Sequence, residues 1–170
     1  FVFPHAVSVS PKNRIIFVAD QGNNRVQAFT HGREYLWEIS GLKGPQGVTA
    51  LPDGRVLIAD TDNHRVLLCG QAGPCELFAG VTGQRGSDAE HLSFPRSIAV
   101  DRAGRVYVAD HDNHRVQVFD ASGKYLSTIG GVWGAGEGQM RNPSGLAFGP
   151  DGRLYVTDYT NQRVLVYEIQ

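Results

Sequence analysis

The sequence is poor in the residues that usually announce a chemistry. Of its 170 residues, two are cysteine, one is methionine and two are tryptophan. Two cysteines alone cannot make a four-ligand zinc site. No apolar run approaches the roughly 18 residues that read as a membrane-spanning helix. Lysine and arginine total 16 against 17 aspartates and glutamates, a formal charge of −1. That balance gives no reason to expect a polyanionic partner. Long apolar stripes at helical spacing are scarce. No serine lies in an activating motif such as G-x-S-x-G, and no nucleophile–base–orienter set is visible. The chain begins with Phe1 rather than Met, so it reads as an excised or processed segment, and the lack of a leader carries no information.

What the sequence does have is glycine and repetition. Glycine accounts for 21 residues, well above the usual ~7%, which implies many turns. Four segments align. They are "FPHAVSVSPKNRIIFVADQGNNRVQAF" from Phe3, "GPQGVTALPDGRVLIADTDNHRVLLCG" from Gly44, "FPRSIAVDRAGRVYVADHDNHRVQVFD" from Phe94 and "NPSGLAFGPDGRLYVTDYTNQRVLVYE" from Asn142. Pro4, Pro45, Pro95 and Pro143 lie 41, 50 and 48 residues apart. From each proline to the aspartate of "AD" or "TD" is 16, 15, 15 and 15 residues, and the arginine of "RV" follows five residues later every time. Internal periods of this length mark repeat architectures.

Each unit reads as a meander of strands. A short first strand, such as Gly47–Ala50, leads to a turn. In that turn "LPDG", "DRAG" and "GPDG" place glycine at the positive-φ position, and "SPKN" places Asn13 there. The second strand, "RVLIAD" or "RVYVAD", is apolar at nearly every position, so both its faces are covered, as when sheets stack. The third is "RVQVF" or "RVLVY". The fourth is weaker, as in "YLWEIS", "CELFAG" and "KYLSTIG". Cys69 and Cys75 flank the hairpin turn "GQAGP" and are read as two free thiols. The alternative is a cross-hairpin disulfide, which would point to an oxidising, extracellular setting.

Four-stranded units of 40–50 residues, stacked face to face, describe the blades of an all-β propeller. The succession of proline, short apolar strand, "DGRVYVAD" and "DNHRVQVF" resembles the NHL repeat over essentially the whole chain. The blades fall at about 3–43, 44–93, 94–141 and 142–170 of one propeller domain or segment, the last lacking its outer strand. The resemblance implies a ring of six blades, of which four are visible. An arc of this kind leaves open strand edges and apolar faces through which copies could self-associate.

Residues present in every blade most economically serve what every blade needs. Asp20, Asp60, Asp110 and Asp158 close the second strands, and Arg25, Arg65, Arg115 and Arg163 open the third. A bidentate guanidinium–carboxylate pair across each hairpin is expected. Asn23, Asn63, Asn113 and Asn161 are expected to shape the turn between them. "VADHDNHRVQVF" thus reads as architecture, although a zinc ion on His111 and His114 with a third ligand is the chemical alternative.

Function should sit where blades differ. His5, Gln46, Arg96 and Ser144 follow the prolines, and Gln21, Thr61, His111 and Tyr159 follow the aspartates. In this strand order both sets emerge on one face, around the mouth of the central channel. They suit asymmetric recognition. The linkers "AGVTGQRGSDAEHLSF" and "GGVWGAGEGQMRN" add area there, and Trp133 in the second is either a contact anchor or a wedge between blades. Their glycines precede strands, not helices, so they do not read as phosphate cradles.

The expected function is non-enzymatic binding through the channel mouth, with a protein or peptide as partner, or else a small molecule. No cofactor is expected. The first unit also resembles the blades of peptidyl-α-hydroxyglycine α-amidating lyase, whose Pro-His imidazoles converge on a channel metal. That resemblance would imply zinc or calcium, but only His5 matches; Gln46, Arg96 and Ser144 stand at the other positions. A third alternative is an RNA- or substrate-recruiting NHL domain. Nucleic acid is not expected as a partner, because Arg85, Arg96 and Arg141 are interspersed with Asp88, Glu90 and Glu137.

Overall fold

The computed structural model describes residues 1–71 and 73–169. The chain is all-β, with four antiparallel sheets in sequence order. The first contains β1 (Pro4–Val9), β2 (Ile16–Asp20), β3 (Arg25–Phe29) and β4 (Tyr35–Ile39). The second contains β5 (Gly47–Ala50), β6 (Val56–Asp60), β7 (Arg65–Cys69) and β8 (Cys75–Gly80). The third contains β9 (Pro95–Val100), β10 (Val106–Asp110), β11 (Arg115–Phe119) and β12 (Tyr125–Gly130). In the fourth, β13 (Pro143–Phe148), β14 (Leu154–Asp158) and β15 (Arg163–Tyr167) are described. Each sheet is a propeller blade, and the first strand of each is innermost.

The apolar second strands explain the stacking. Along β6 alternate residues face opposite ways, as strand geometry requires. Val56 and Ile58 pack against Phe17, Ala19 and Val26 of the first blade. Leu57 and Ala59 pack against Ile98, Val106 and Val108 of the third. A third core joins Tyr107, Val116 and Val118 to Leu154 and Val156. Among the described residues no such cluster joins the fourth blade to the first. Val164 is 58% exposed, whereas its counterparts Val26, Val66 and Val116 are fully buried. Val7 and Val9 of the first blade are likewise exposed.

Two local expectations need correction. Cys69 and Cys75 form a disulfide, not a pair of free thiols. They are paired residues across the β7–β8 hairpin with Cα atoms 4.1 Å apart, within bonding reach of each other. Ala72, in that turn, lies outside the described residues, as does Gln170. The positive φ of the first blade's turn falls on Arg14, not Asn13. That unit has one residue more than the others between proline and aspartate. Asn13 instead accepts the Ile15 N–H through its side chain. In the other three blades Gly54, Gly104 and Gly152 take the positive φ.

Candidate functional site

An Asp–Asn–Arg station recurs in every blade, beneath the channel mouth. In each blade the aspartate is fully buried. Its Oδ2 accepts from Nδ2 of the asparagine three residues on and from Nε of the arginine five residues on, at 2.7–3.0 Å. The guanidinium contact is single, not bidentate. The reason is that Oδ1 is occupied elsewhere. It accepts the backbone N–H of the residue two before the proline: Val2, Lys43, Ser93 and Arg141, at 2.6–2.7 Å. Each carboxylate therefore ties the turn, the third strand and the incoming linker together. The outer edge of the arginine is then free to reach outward. Arg25 pairs with Glu38. Arg115 donates to the carbonyls of Ser87, Asp88 and His91. Arg163 donates to those of Ala135 and Gln139. Burial pushes the Asp20 and Asp158 carboxyls up, but the donors outweigh it and hold both below the usual carboxylate value. Around the more deeply enclosed Asp110, burial wins and raises the carboxyl.

The residue after each asparagine adopts left-handed backbone, which closes a single turn of 3-10 helix. These residues are Asn24, His64, His114 and Gln162, with φ of 53–56°. Three of them face the residue before the next proline. Gly44 N–H donates to Asn24 Oδ1, Phe94 N–H to His64 Nδ1 and Asn142 N–H to His114 Nδ1. The two histidines of the "DNH" motif thus do the work that asparagine does in the first blade. They accept a backbone proton, so each imidazole must present a bare Nδ1. Burial lowers the His64 pKa, with Arg85 adding to the effect.

Above the stations the inner strands enclose a cavity of about 420 Å³. His5, Gln46, Arg96 and Ser144 line it together, one from each blade. Their place follows from the chain: each is the residue after the proline that starts an inner strand. His5 Nδ1–H donates to the Gln46 carbonyl at 3.1 Å. Gly47 lies so close to the third blade that a Cβ there would come 2.5 Å from the Arg96 carbonyl oxygen. Gln46 Oε1 and Arg96 Nε are both buried without a hydrogen-bond partner. Such atoms are uncommon, because each forfeits its hydration for nothing. Burial lowers the Arg96 pKa, against the pull of Asp112 and Tyr159.

The second set lies outside the cavity lining. Thr61 and His111 are buried and tie one blade to the next: Thr61 Oγ1 donates to the Pro95 carbonyl and His111 Nδ1–H to the Pro143 carbonyl. Burial lowers the His111 pKa, with Arg96 second. Gln21 is half-buried and Tyr159 is exposed. Trp133 is 57% exposed and is no wedge between blades; the Arg141 guanidinium lies 3.8 Å over its ring.

Sequence reasoning missed Ser8, Thr49, Ser97 and Thr157, which also line the cavity. Ser8 Oγ and Ser97 Oγ accept the N–H groups of Ala50 and Leu146, and Thr49 Oγ1 donates to the Ile98 carbonyl. These bonds lace neighbouring inner strands. Thr157 Oγ1 accepts the Gly145 N–H. Its signal was the single "TD" among three "AD" motifs.

The donor set does not fit a zinc or calcium centre in the channel. Among the described residues no group of three or more His, Cys, Asp or Glu side chains is placed to hold a metal. The lining offers His5 alone, with a cation, Arg96, where another imidazole would be needed. Nor do His111 and His114 pair: their Nδ1 atoms face different backbone groups.

No curated protein matches the chain. Solved structures do. A protein of unknown function from Bacteroides thetaiotaomicron superposes with TM-score 0.81 at 17% identity, over 98% of this chain and 47% of that one. A catalytically inactive virginiamycin B lyase from Staphylococcus aureus, with quinupristin, superposes with TM-score 0.73 at 14% identity, over 99% and 56%. An auxiliary nutrient binding protein from Bacteroides ovatus superposes with TM-score 0.74 at 17% identity, over 97% and 48%. This chain thus spans about half the length of those structures, and at such identity the likeness is one of fold. The model of the NHL repeat matches residues 1–29, 42–67, 92–119 and 140–167, and with the four blades in place the chain belongs to the NHL repeat family.

Proposed function

We propose that this propeller is a non-enzymatic binding module whose recognition face is the mouth of the channel. One observation carries the reading. His5, Gln46, Arg96 and Ser144, which differ from blade to blade, converge on one cavity, where two buried polar atoms are unpaired. A cavity of about 420 Å³ is within the range of ligand sites. Trp133 and Tyr159, both exposed aromatics, suit contact with a peptide or protein over the rim. The protein from Bacteroides ovatus described as nutrient binding lends the reading support from fold alone.

The four blades are taken as part of a larger ring. Val7, Val9, Val164 and Val166 are exposed on faces that the neighbouring blade covers elsewhere in the molecule.

The test is a thermal-shift screen of peptides and small metabolites, repeated on Ser144→Tyr, which fills the mouth. Ligands that raise the melting temperature of the parent protein and not of Ser144→Tyr support the reading. Ligands indifferent to that substitution overturn it. Zinc is tested beside this by metal analysis: stoichiometric metal lost on His5→Ala would favour a lyase instead.

A further inference from the structure

One formal charge lines the cavity. Arg96 supplies it, and no aspartate or glutamate is among the lining residues. The acidic group that acts on Arg96 is Asp112. Asp112 is already paired with Arg85 at 3.2 Å, and its other oxygen is 3.9 Å from His111 Nε2. Arg25, Arg65, Arg115 and Arg163 each aim Nε at a carboxylate. Arg96 Nε is buried and meets nothing. Arg141 Nε is unpaired too, but its guanidinium rests on the Trp133 ring, which offers an electron-rich face. Arg96 has no such support. One blade away, Gln46 Oε1 is an acceptor without a donor.

The site is thus short of one anionic acceptor and one donor, on neighbouring blades. The edge of a guanidinium, Nε with one terminal nitrogen, matches the two oxygens of a carboxylate. A single arginine neutralises a single charge, and no second lysine or arginine lines the cavity to meet a phosphate. Resting on the proposal that the mouth is the binding face, we infer that it takes a monocarboxylate with a hydroxyl or N–H donor beside it. The carboxylate sits on Arg96, and the neighbouring donor meets Gln46 Oε1. A small hydroxy acid offers this pair of groups. So does the last residue of a peptide, whose amide N–H stands next to its carboxylate.

The experiment follows the arginine Nε–Hε resonances by nitrogen-15 NMR, the Arg96 signal being assigned by its loss in Arg96→Met. The probes are glycolate, N-acetylglycylserine as the free acid, the same dipeptide as its C-terminal amide, and sodium sulfate. A saturable shift of the Arg96 signal with either acid, and none with the amide, is the expected result. Binding should weaken roughly tenfold or more in Arg96→Met and in Gln46→Leu, as loss of one charge-assisted or buried hydrogen bond implies. A response to glycolate alone identifies a free acid as the source, and a response to the dipeptide acid identifies a chain terminus; either supports the inference. Arg96→Met should keep or raise the melting temperature, since it removes a half-buried cation whose Nε is unpaired. If it unfolds the protein, Gln46→Leu still decides. Sulfate acting as strongly as the acids, amide binding as tightly as acid, or no saturable shift with any probe overturns the inference. Amide binding that is lost in Ser144→Tyr would do so while leaving the mouth as the binding face.

Discussion

The Asp–Asn–Arg stations and the channel mouth are built from nearly adjoining residues, yet their polar atoms end differently. Around Asp110 both carboxylate oxygens are used: Oδ1 by the Ser93 N–H, Oδ2 by Asn113 and Arg115. The same three-way tie stands in all four blades. A few residues away, Gln46 Oε1 and Arg96 Nε are buried with no partner at all. The difference teaches where to look in a repeat protein. Residues that recur are satisfied within the molecule and hold blades together. Among the residues that vary, Thr61 and His111 are satisfied between blades, whereas Gln46 and Arg96 carry unmet bonding capacity, which a ligand can complete.

The comparison can be broken by substitution, and the largest effect is expected at the stations. Asp110→Ala leaves Arg115 buried without its anion and frees the incoming linker. A loss of about 3–5 kcal/mol is expected in urea denaturation. Opening the Cys69–Cys75 bridge with a reductant releases a short hairpin loop. Chain entropy puts that cost at about 2 kcal/mol, read from the same denaturation curves.

Acid provides the next test. His64 accepts the Phe94 N–H only as neutral imidazole, and its pKa is lowered from the ordinary 6.5. Above that ordinary value neither folded nor unfolded chain is protonated there, and the contribution is full. As the pH falls below 6.5 the unfolded chain takes up the proton first, and stability drops toward the lowered folded value. His111, lowered by burial, adds to the same window. His64→Asn restores the acceptor that Asn24 supplies in the first blade. It should change neutral-pH stability by less than about 0.5 kcal/mol and flatten the acid decline. A thermal melting series from pH 7.5 to pH 5 would show it.

At the mouth the sign reverses. Arg96→Met removes a half-buried cation whose Nε has no hydrogen-bond partner and should leave stability unchanged or raise it by up to about 1 kcal/mol. A destabilisation as large as that of Asp110→Ala would erase the distinction between station and mouth. The smallest effect belongs to Trp133→Ala, on an exposed linker. It should alter stability by less than about 0.5 kcal/mol, while weakening any ligand that reaches over the rim in a binding titration.

Much of the fold was legible because the repeat wrote it four times. The spacing of proline, aspartate and arginine located the inner strand, the buried second strand and the turn after it. Partners were harder. The carboxylates looked able to take a guanidinium on both oxygens, but one oxygen holds a linker N–H from 17 or 18 residues earlier, and nothing local to the hairpin reveals that. Thr61 and His111 looked like rim residues and are interblade ties, because the Pro95 and Pro143 carbonyls reach them only when blades stack. Trp133 had no pattern around it; Arg141, eight residues on in the same linker, lies over its ring. The cysteines could be free or bonded until the β7–β8 register placed them opposite one another.

The sequence by itself determined the blade: strand lengths, apolar second strands, and a recurring aspartate, asparagine and arginine, the last three joined within five residues of chain. Only the tertiary structure decided which polar groups would meet across blades and which would not. That follows from the geometry of stacking, which brings residues 41 to 50 positions apart into contact and leaves Gln46 and Arg96 facing a space that the chain itself does not fill.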